Sequence, residues 1–218
     1  MNIAAVSFDL DGTLYSAKAL RRPLLWRTFP RWRTMRVGQR VREELRAERF
    51  VDGAALLQRE AEIAAERLER DVESTKAALA RVFDHDVTAV LARIGPRAGT
   101  RAMLQQLVAN NIAIVVVSDR GAVDAKLAAL GLGDLPWRAH VSADDVGVFK
   151  PNPLPFERAA TSCGVAVGQL LHVGDRHDSD GDGARRAGCA GFVFVDDATS
   201  WSDVTSRVLP PAQGKHSR

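Results

Sequence analysis

A doubly wound α/β fold, in which a parallel sheet carries helices on both faces, is predicted for this 218-residue chain by two patterns in its sequence. Apolar runs of strand length recur at Ile3–Phe8, Ile112–Val117, Leu170–Val173 and Phe192–Val195, with a weaker one at Ala139–Ser142. Several are continuous rather than alternating, as parallel strands covered on both faces are. Segments of helical character such as Val123–Leu130 and Pro153–Cys163 fall between them, and strands alternating with helices build a parallel sheet. A third observation sets the domain plan. Residues 16–95 hold no convincing strand and separate the first strand from the second. The expected division is a core of 1–15 and 96–209, a separate helical insertion at 16–95, and a tail at 210–218 that has little to bury and frays.

Taken in order, Ile3–Phe8 opens the sheet and leaves it through Asp9-Leu10-Asp11-Gly12, where glycine permits a sharp exit. In the insertion, Leu57, Ala61, Ala64, Leu68 and Val72 fall on one face of a long helix. A second amphipathic segment, Val87–Ile94, stops at Gly95-Pro96. The remaining strands then follow at the spacing that intervening helices require.

Composition narrows the class. Hydrophobic residues make up 46% and charged residues 26%, so the chain can bury a proper core and is neither fibrous nor disordered. No apolar run is long enough for a membrane span, and the start MNIAAVSFDLDG lacks the basic opening and apolar stretch of a signal peptide. A cytoplasmic protein is expected. Cys163 and Cys189 offer neither a disulfide framework nor a zinc pattern, and reduced, buried thiols packed between helices are expected.

The net charge of +3 conceals an uneven distribution: residues 18–49 contain 11 Lys/Arg and 3 Asp/Glu, so this block carries +8 and the rest of the chain −5. Trp26, Phe29 and Trp32 stand among its arginines. Two readings compete. The block is an electropositive surface for a phosphorylated substrate, nucleic acid or anionic membrane, or it is a solvated helical face whose aromatics pack on the core. Pro23 and Pro30 interrupt any long helix lying on a membrane.

Ligands of doubly wound sheets bind beyond the carboxyl ends of the strands. There the sequence puts Asp9 and Asp11, then Ser118-Asp119, then Lys150, then Asp175 followed by Asp178, Asp180 and Asp182. Carboxylates this concentrated repel one another unless a cation sits among them, and hard oxygen ligands favour Mg²⁺. Two aspartates at i and i+2 can divide labour, one as nucleophile or metal ligand and the other as proton carrier. These are parts suited to phosphoryl transfer.

DLDGTL at 9–14, VVVSDR at 115–120, FKPNP at 149–153 and HVGDRHDSDGDGARRAG at 172–188 together resemble the four motifs of the haloacid dehalogenase superfamily, in the right order and on the right elements. The resemblance implies a Rossmann-like core with an inserted helical cap. It implies that Asp9 is the nucleophile, and that Asp11 protonates the leaving oxygen and then activates water. Ser118, the amide of Asp119 and Lys150 would hold the phosphoryl group, and Asp9, the backbone carbonyl of Asp11 and Asp175 would bind Mg²⁺. The family's spacing points to Asp180 as the supporting acid of the fourth motif, with Asp178 a weaker candidate and Asp182 a solvated charge at a helix start. Asn commonly follows the serine of the second motif; here Asp119 does, and a carboxylate facing phosphate would repel it, so only its amide is expected to be used.

Asp178-Ser-Asp-Gly-Asp182-Gly also mimics an EF-hand opening, but the twelfth position is Cys189 rather than Glu, and a strand rather than a helix precedes it. His140 and His172 lack partners at metal spacing and are expected to be structural, while His177 adjoins the acidic loop. The function expected is a Mg²⁺-dependent phosphatase acting on a small phosphorylated metabolite through an aspartyl-phosphate. Alternatives are a phosphomutase or another reaction of the same nucleophile, or a non-catalytic polyanion-binding module using the basic cap. Dehalogenation is disfavoured because it needs no proton donor at Asp11. Phosphonate hydrolysis is disfavoured because no lysine lies between Lys18 and Lys76.

Overall fold

The computed structural model describes residues 2–198 and 201–209, so the tail at 210–218 lies outside the described residues. Strand β1 (Ala5–Phe8) leads into five helices, α1 (Ala17–Thr28), α2 (Trp32–Leu45), α3 (Gly53–Leu68), α4 (Val72–Ala80) and α5 (Val87–Ile94). The chain continues through α6 (Thr100–Ala109), β2 (Ala113–Ser118), α7 (Val123–Ala129), β3 (Trp137–Ser142), α8 (Ala143–Val146) and α9 (Leu154–Cys163). It closes with β4 (Leu170–Gly174), α10 (Asp182–Ala187), β5 (Gly191–Phe194) and α11 (Trp201–Val208).

The five strands form one sheet in the order β3-β2-β1-β4-β5, with every pair parallel. β1 is therefore central, and the loop that follows it lies at the middle of the carboxyl edge. Successive residues of each strand enter opposite clusters: Val6, Phe8, Ile114 and Val116 pack with α6 and α7, while Ala5, Val115 and Val117 pack with α9. Both faces are apolar, which is why the strands read as continuous hydrophobic runs. The polar exceptions meet each other, with Ser7 Oγ 2.8 Å from His172 Nδ1 across β1 and β4.

The insertion is seated on the core rather than freestanding. Val87 and Leu91 of α5 belong to the larger core cluster, and Val41, Leu45, Leu56, Ala64 and Leu79 form a third cluster with Ala143 and Phe149. The long helix expected through Val72 is two helices. Glu69 takes a left-handed conformation at φ 54°, and Asp71 starts α4 by accepting a 2.8 Å hydrogen bond from the Ser74 amide. The buried face is also rotated from Leu57 toward Leu56. A larger correction concerns the aromatics. Trp26, Phe29 and Trp32 are 73%, 65% and 47% exposed, so they do not pack on the core. Both cysteines are only partly buried, alongside the α9 cluster. Among the described residues, no helix is long and apolar enough to cross a membrane.

Candidate active site

The carboxyl edge of β1, β2 and β4 gathers most of the residues singled out in the sequence. Asp9 is buried directly after β1, where its amide donates to Val173 O at 2.8 Å and its carboxylate accepts from Thr13 Oγ1 at 3.1 Å. Gly12 has φ +100° and a Cβ there would come within 2.2 Å of Asp175 Oδ2, so the turn requires glycine both for its conformation and for the close approach. Lys150 Nζ donates to Asp9 Oδ1 and to Asp180 Oδ1, each at 2.6 Å, and to Val117 O at 3.2 Å. Burial pulls the lysine down, but Asp180, Asp9 and Asp119 outweigh it and hold the ammonium protonated.

Asp180 is anchored from several sides, meeting Lys150, the Arg176 amide at 3.0 Å and His172 Nε2 at 3.3 Å. Burial opposes ionisation there, yet Lys150 prevails and keeps this carboxyl well below its usual range. Burial holds the His172 imidazole below its ordinary pKa, which suits a structural role in orienting Asp180. Asp178 instead faces solvent and pairs with Arg176 at 2.7 Å, while Asp182 pairs with Arg185 at 2.8 Å. The three acids of the EF-hand-like string thus diverge. His177 stacks on Phe194 with ring centroids 4.3 Å apart.

Asp9, Asp175 and Asp180 each turn a carboxylate oxygen toward one point, all three oxygens lying within 4.8 Å of one another. Burial, then Asp180, push Asp175 up to about 6, and burial raises Asp9 well above the ordinary carboxylate range. Such crowding of oxygen donors is what a hard divalent cation relieves, and the residues fit one. The Asp11 side chain lies outside this trio. Its oxygens accept from Lys126 Nζ at 2.9 and 3.1 Å and from Tyr15 Oη at 2.7 Å. Burial raises its pKa, but Lys126 and Tyr15 together hold it below the ordinary value. The two neighbouring aspartates therefore have separate partners, Asp9 with Lys150 and Asp11 with Lys126.

Ser118 ends β2 with its hydroxyl buried, accepting the Arg120 amide at 3.1 Å, and does not line the cleft. Asp119 does line it, and its side chain is engaged: Oδ1 accepts the Lys150 amide at 2.9 Å and Oδ2 accepts Arg46 Nη1 at 2.7 Å. The expected use of the amide alone omits this pairing, in which an arginine of the insertion offsets the extra carboxylate. Arg46 also donates to Lys150 O at 3.0 Å, and Arg42 donates to Asp119 O at 2.6 Å. The insertion thus grips the second and third motifs directly.

Sequence reasoning missed Lys126, Arg42, Arg46 and Arg120, all of which line the cleft. Lys126 had a signal: it is one of five lysines in a chain with 25 arginines, the same rarity that drew notice to Lys150. The arginines had none, because many identical residues surround them.

The comparisons with known proteins agree with this geometry. The haloacid dehalogenase-like hydrolase family matches residues 3–188. Glyceraldehyde 3-phosphate phosphatase of Methanopyrus kandleri is 31% identical over 193 residues, spanning 85% of this chain and 81% of that protein. The 2-haloacid dehalogenase of Pseudomonas syringae pv. Tomato DC3000 superposes with a TM-score of 0.61 at 22% identity, over 91% of this chain and 89% of the other. The Bacillus subtilis HAD hydrolase YfnB, in a magnesium-bound crystal, gives a TM-score of 0.65 at 12% identity, over 95% and 99%. From the central DLDGTL turn to the buried Lys150–Asp180 pair, and by the match across 3–188, the chain belongs to the haloacid dehalogenase-like hydrolases.

Proposed function

We propose that the chain is a Mg²⁺-dependent phosphatase that hydrolyses a small phosphate monoester through an aspartyl-phosphate on Asp9, with residues 16–95 acting as the cap over the cleft. The observation that carries this reading is the division of partners between Asp9 and Asp11, one carboxylate on Lys150 and the next on Lys126. A carboxylate oxygen of Asp9 attacks phosphorus as the bond to the leaving oxygen breaks, and Asp11, once it has taken up a proton against the pull of Lys126 and Tyr15, delivers it to that oxygen. In the second half, water gives its proton to Asp11 and attacks the same phosphorus, freeing Asp9 and inorganic phosphate. Lys150 offsets negative charge on the nucleophile, and Asp180 keeps Lys150 aimed. Asp9, Asp175, Asp180 and the carbonyl of Asp11 are the groups that would hold the cation, which supplies charge neutralisation for the phosphoryl oxygens. Ser118 and the Asp119 amide are the candidate phosphoryl ligands; the Ser118 oxygen accepts the Arg120 amide and keeps its own O–H to donate.

The test is turnover of an aryl phosphate with Mg²⁺. Wild type is expected to be active, and Asp9→Asn to lose at least about a thousandfold; an inactive wild type, or an Asp9→Asn variant as active as wild type, rejects the reading. A second reading, a basic surface that engages anionic lipid, is favoured by the exposed Trp26, Phe29 and Trp32 beside arginines. Salt-sensitive binding to phosphatidylserine vesicles, unaffected by Asp9→Asn, is its expected mark.

A further inference from the structure

Six cations line the cleft, and five have anionic partners within it or at its rim. Lys150 holds Asp9 and Asp180, Lys126 holds Asp11, Arg42 holds Glu60 and Asp144, Arg46 holds Asp119, and Arg176 holds Asp178. Arg120 differs. Among the described residues its guanidinium makes no hydrogen bond, and its nearest carboxylate oxygen, Glu60 Oε1, stands 3.7 Å away. The other Glu60 oxygen already accepts from Arg42 at 2.9 Å.

Arg120 is nonetheless held firmly. Its backbone is pinned by the Arg120 amide on Ser118 Oγ at 3.1 Å and by the next amide, Gly121, on Asp144 Oδ2 at 2.8 Å. Its guanidinium lies over the Phe83 ring, 3.8 Å from the centroid, so the apolar face is covered while the donor edge stays free. Burial and the neighbouring Arg42 push the guanidinium down to about 10, against the pull of Glu60, Asp144 and Asp11. Arg120 also exerts its pull on Asp11, the acid assigned to the leaving oxygen. The two line the same cleft of about 340 Å³, a volume at the small-molecule end of ligand sites.

We propose that Arg120 is a specificity-determining residue that binds a second anionic group, a carboxylate or a further phosphate, on the leaving group of the substrate. The planar fork matches such a group through two parallel hydrogen bonds, and Phe83 fixes its orientation before binding. The substrate class is then a small phosphate monoester with an acidic tail, rather than a neutral sugar or aldehyde phosphate. This rests on the phosphatase reading, and the test separates the two.

Full-length protein with Mg²⁺ is assayed on three esters of one carbon skeleton: 3-phosphoglycerate, glycerol 1-phosphate and 1,3-propanediol bisphosphate, with an aryl phosphate alongside. In wild type, kcat/KM for one or both esters with an anionic tail is expected to exceed that of glycerol 1-phosphate, whose tail is uncharged, by about tenfold or more. Whichever ester is favoured tells carboxylate from phosphate. Arg120→Gln is expected to collapse that ratio toward one, chiefly through KM, and Arg120→Lys to restore part of it. Hydrolysis without preference in wild type, or a ratio unchanged in Arg120→Gln, overturns the assignment of Arg120 while leaving the phosphatase reading intact. No turnover of any of the four compounds overturns both. The wild-type preference is read without a variant, so a failure of Arg120→Gln to fold does not remove the test.

Discussion

The two halves of the basic segment carry similar numbers of cations, five in residues 18–31 and six in 32–49, and use them differently. In the first half, Lys18, Arg21 and Arg22 face solvent beside exposed Trp26 and Phe29, while Arg27 and Arg31 reach back to a single buried acid, Asp86, at 2.8 and 2.9 Å. In the second half, α2 turns Arg42 and Arg46, one helical turn apart, into the core, while Arg33, Arg36 and Arg40 on the same helix stay exposed. The difference teaches that a count of arginines says little about what the segment recognises. What matters is the phase of α2, whose buried side carries Val41, Arg42 and Leu45 and is allowed close to Phe83 by Gly38.

Arg42→Ala gives the sharpest test of that contrast. It strips a partner from buried Glu60 and a donor from Asp144 and Asp119, and removing one member of a buried pair costs about 3–5 kcal/mol. A loss of unfolding free energy of that size, seen as a lowered thermal midpoint, is expected; a melt within error of wild type would place Arg42 among the solvated charges. Arg46→Ala has a smaller expected effect on stability, about 1 kcal/mol, because its pair with Asp119 is partly exposed on both sides. It leaves Asp119 uncompensated beside the cleft, so KM for a phosphate ester should rise about tenfold through repulsion. An unchanged KM would mean that the Asp119 charge is not felt at the phosphate. At the bottom of the scale, Arg33→Gln with Arg36→Gln should change stability by less than about 0.5 kcal/mol and leave kcat/KM alone. If this pair lowers turnover as much as Arg46→Ala, the contrast between inward and outward charges is broken and long-range attraction takes its place.

How far the sequence carried is clear from particular residues. Asp9, Asp11 and Asp175 were legible because they follow strand ends, which the apolar runs before them announce, whereas Lys150 and Asp180 were reached through the FKPNP motif and the family's spacing. The separation of Asp180 from Asp178 and Asp182 followed from spacing, and the fold gives it a physical basis, since only Asp180 is buried against Lys150 and His172. The break between α3 and α4 was not legible, because the i, i+4 pattern continues through Val72 while a left-handed Glu69 and the Asp71 cap interrupt the chain locally. Nor was the second role of Ser118, whose oxygen accepts the Arg120 amide and so fixes the turn that carries Arg120.

By itself, then, the sequence determined the parallel sheet, the helical insertion and the acidic centre, because strand burial and chain order are local properties that repeat along the chain. Tertiary structure alone decided which charges meet. Lys126 reaches Asp11 across 115 positions and Arg42 reaches Asp144 across 102. The first depends on how α7 packs beside the loop after β1, the second on how the insertion docks against the loops of the sheet, and no periodicity in the chain encodes either.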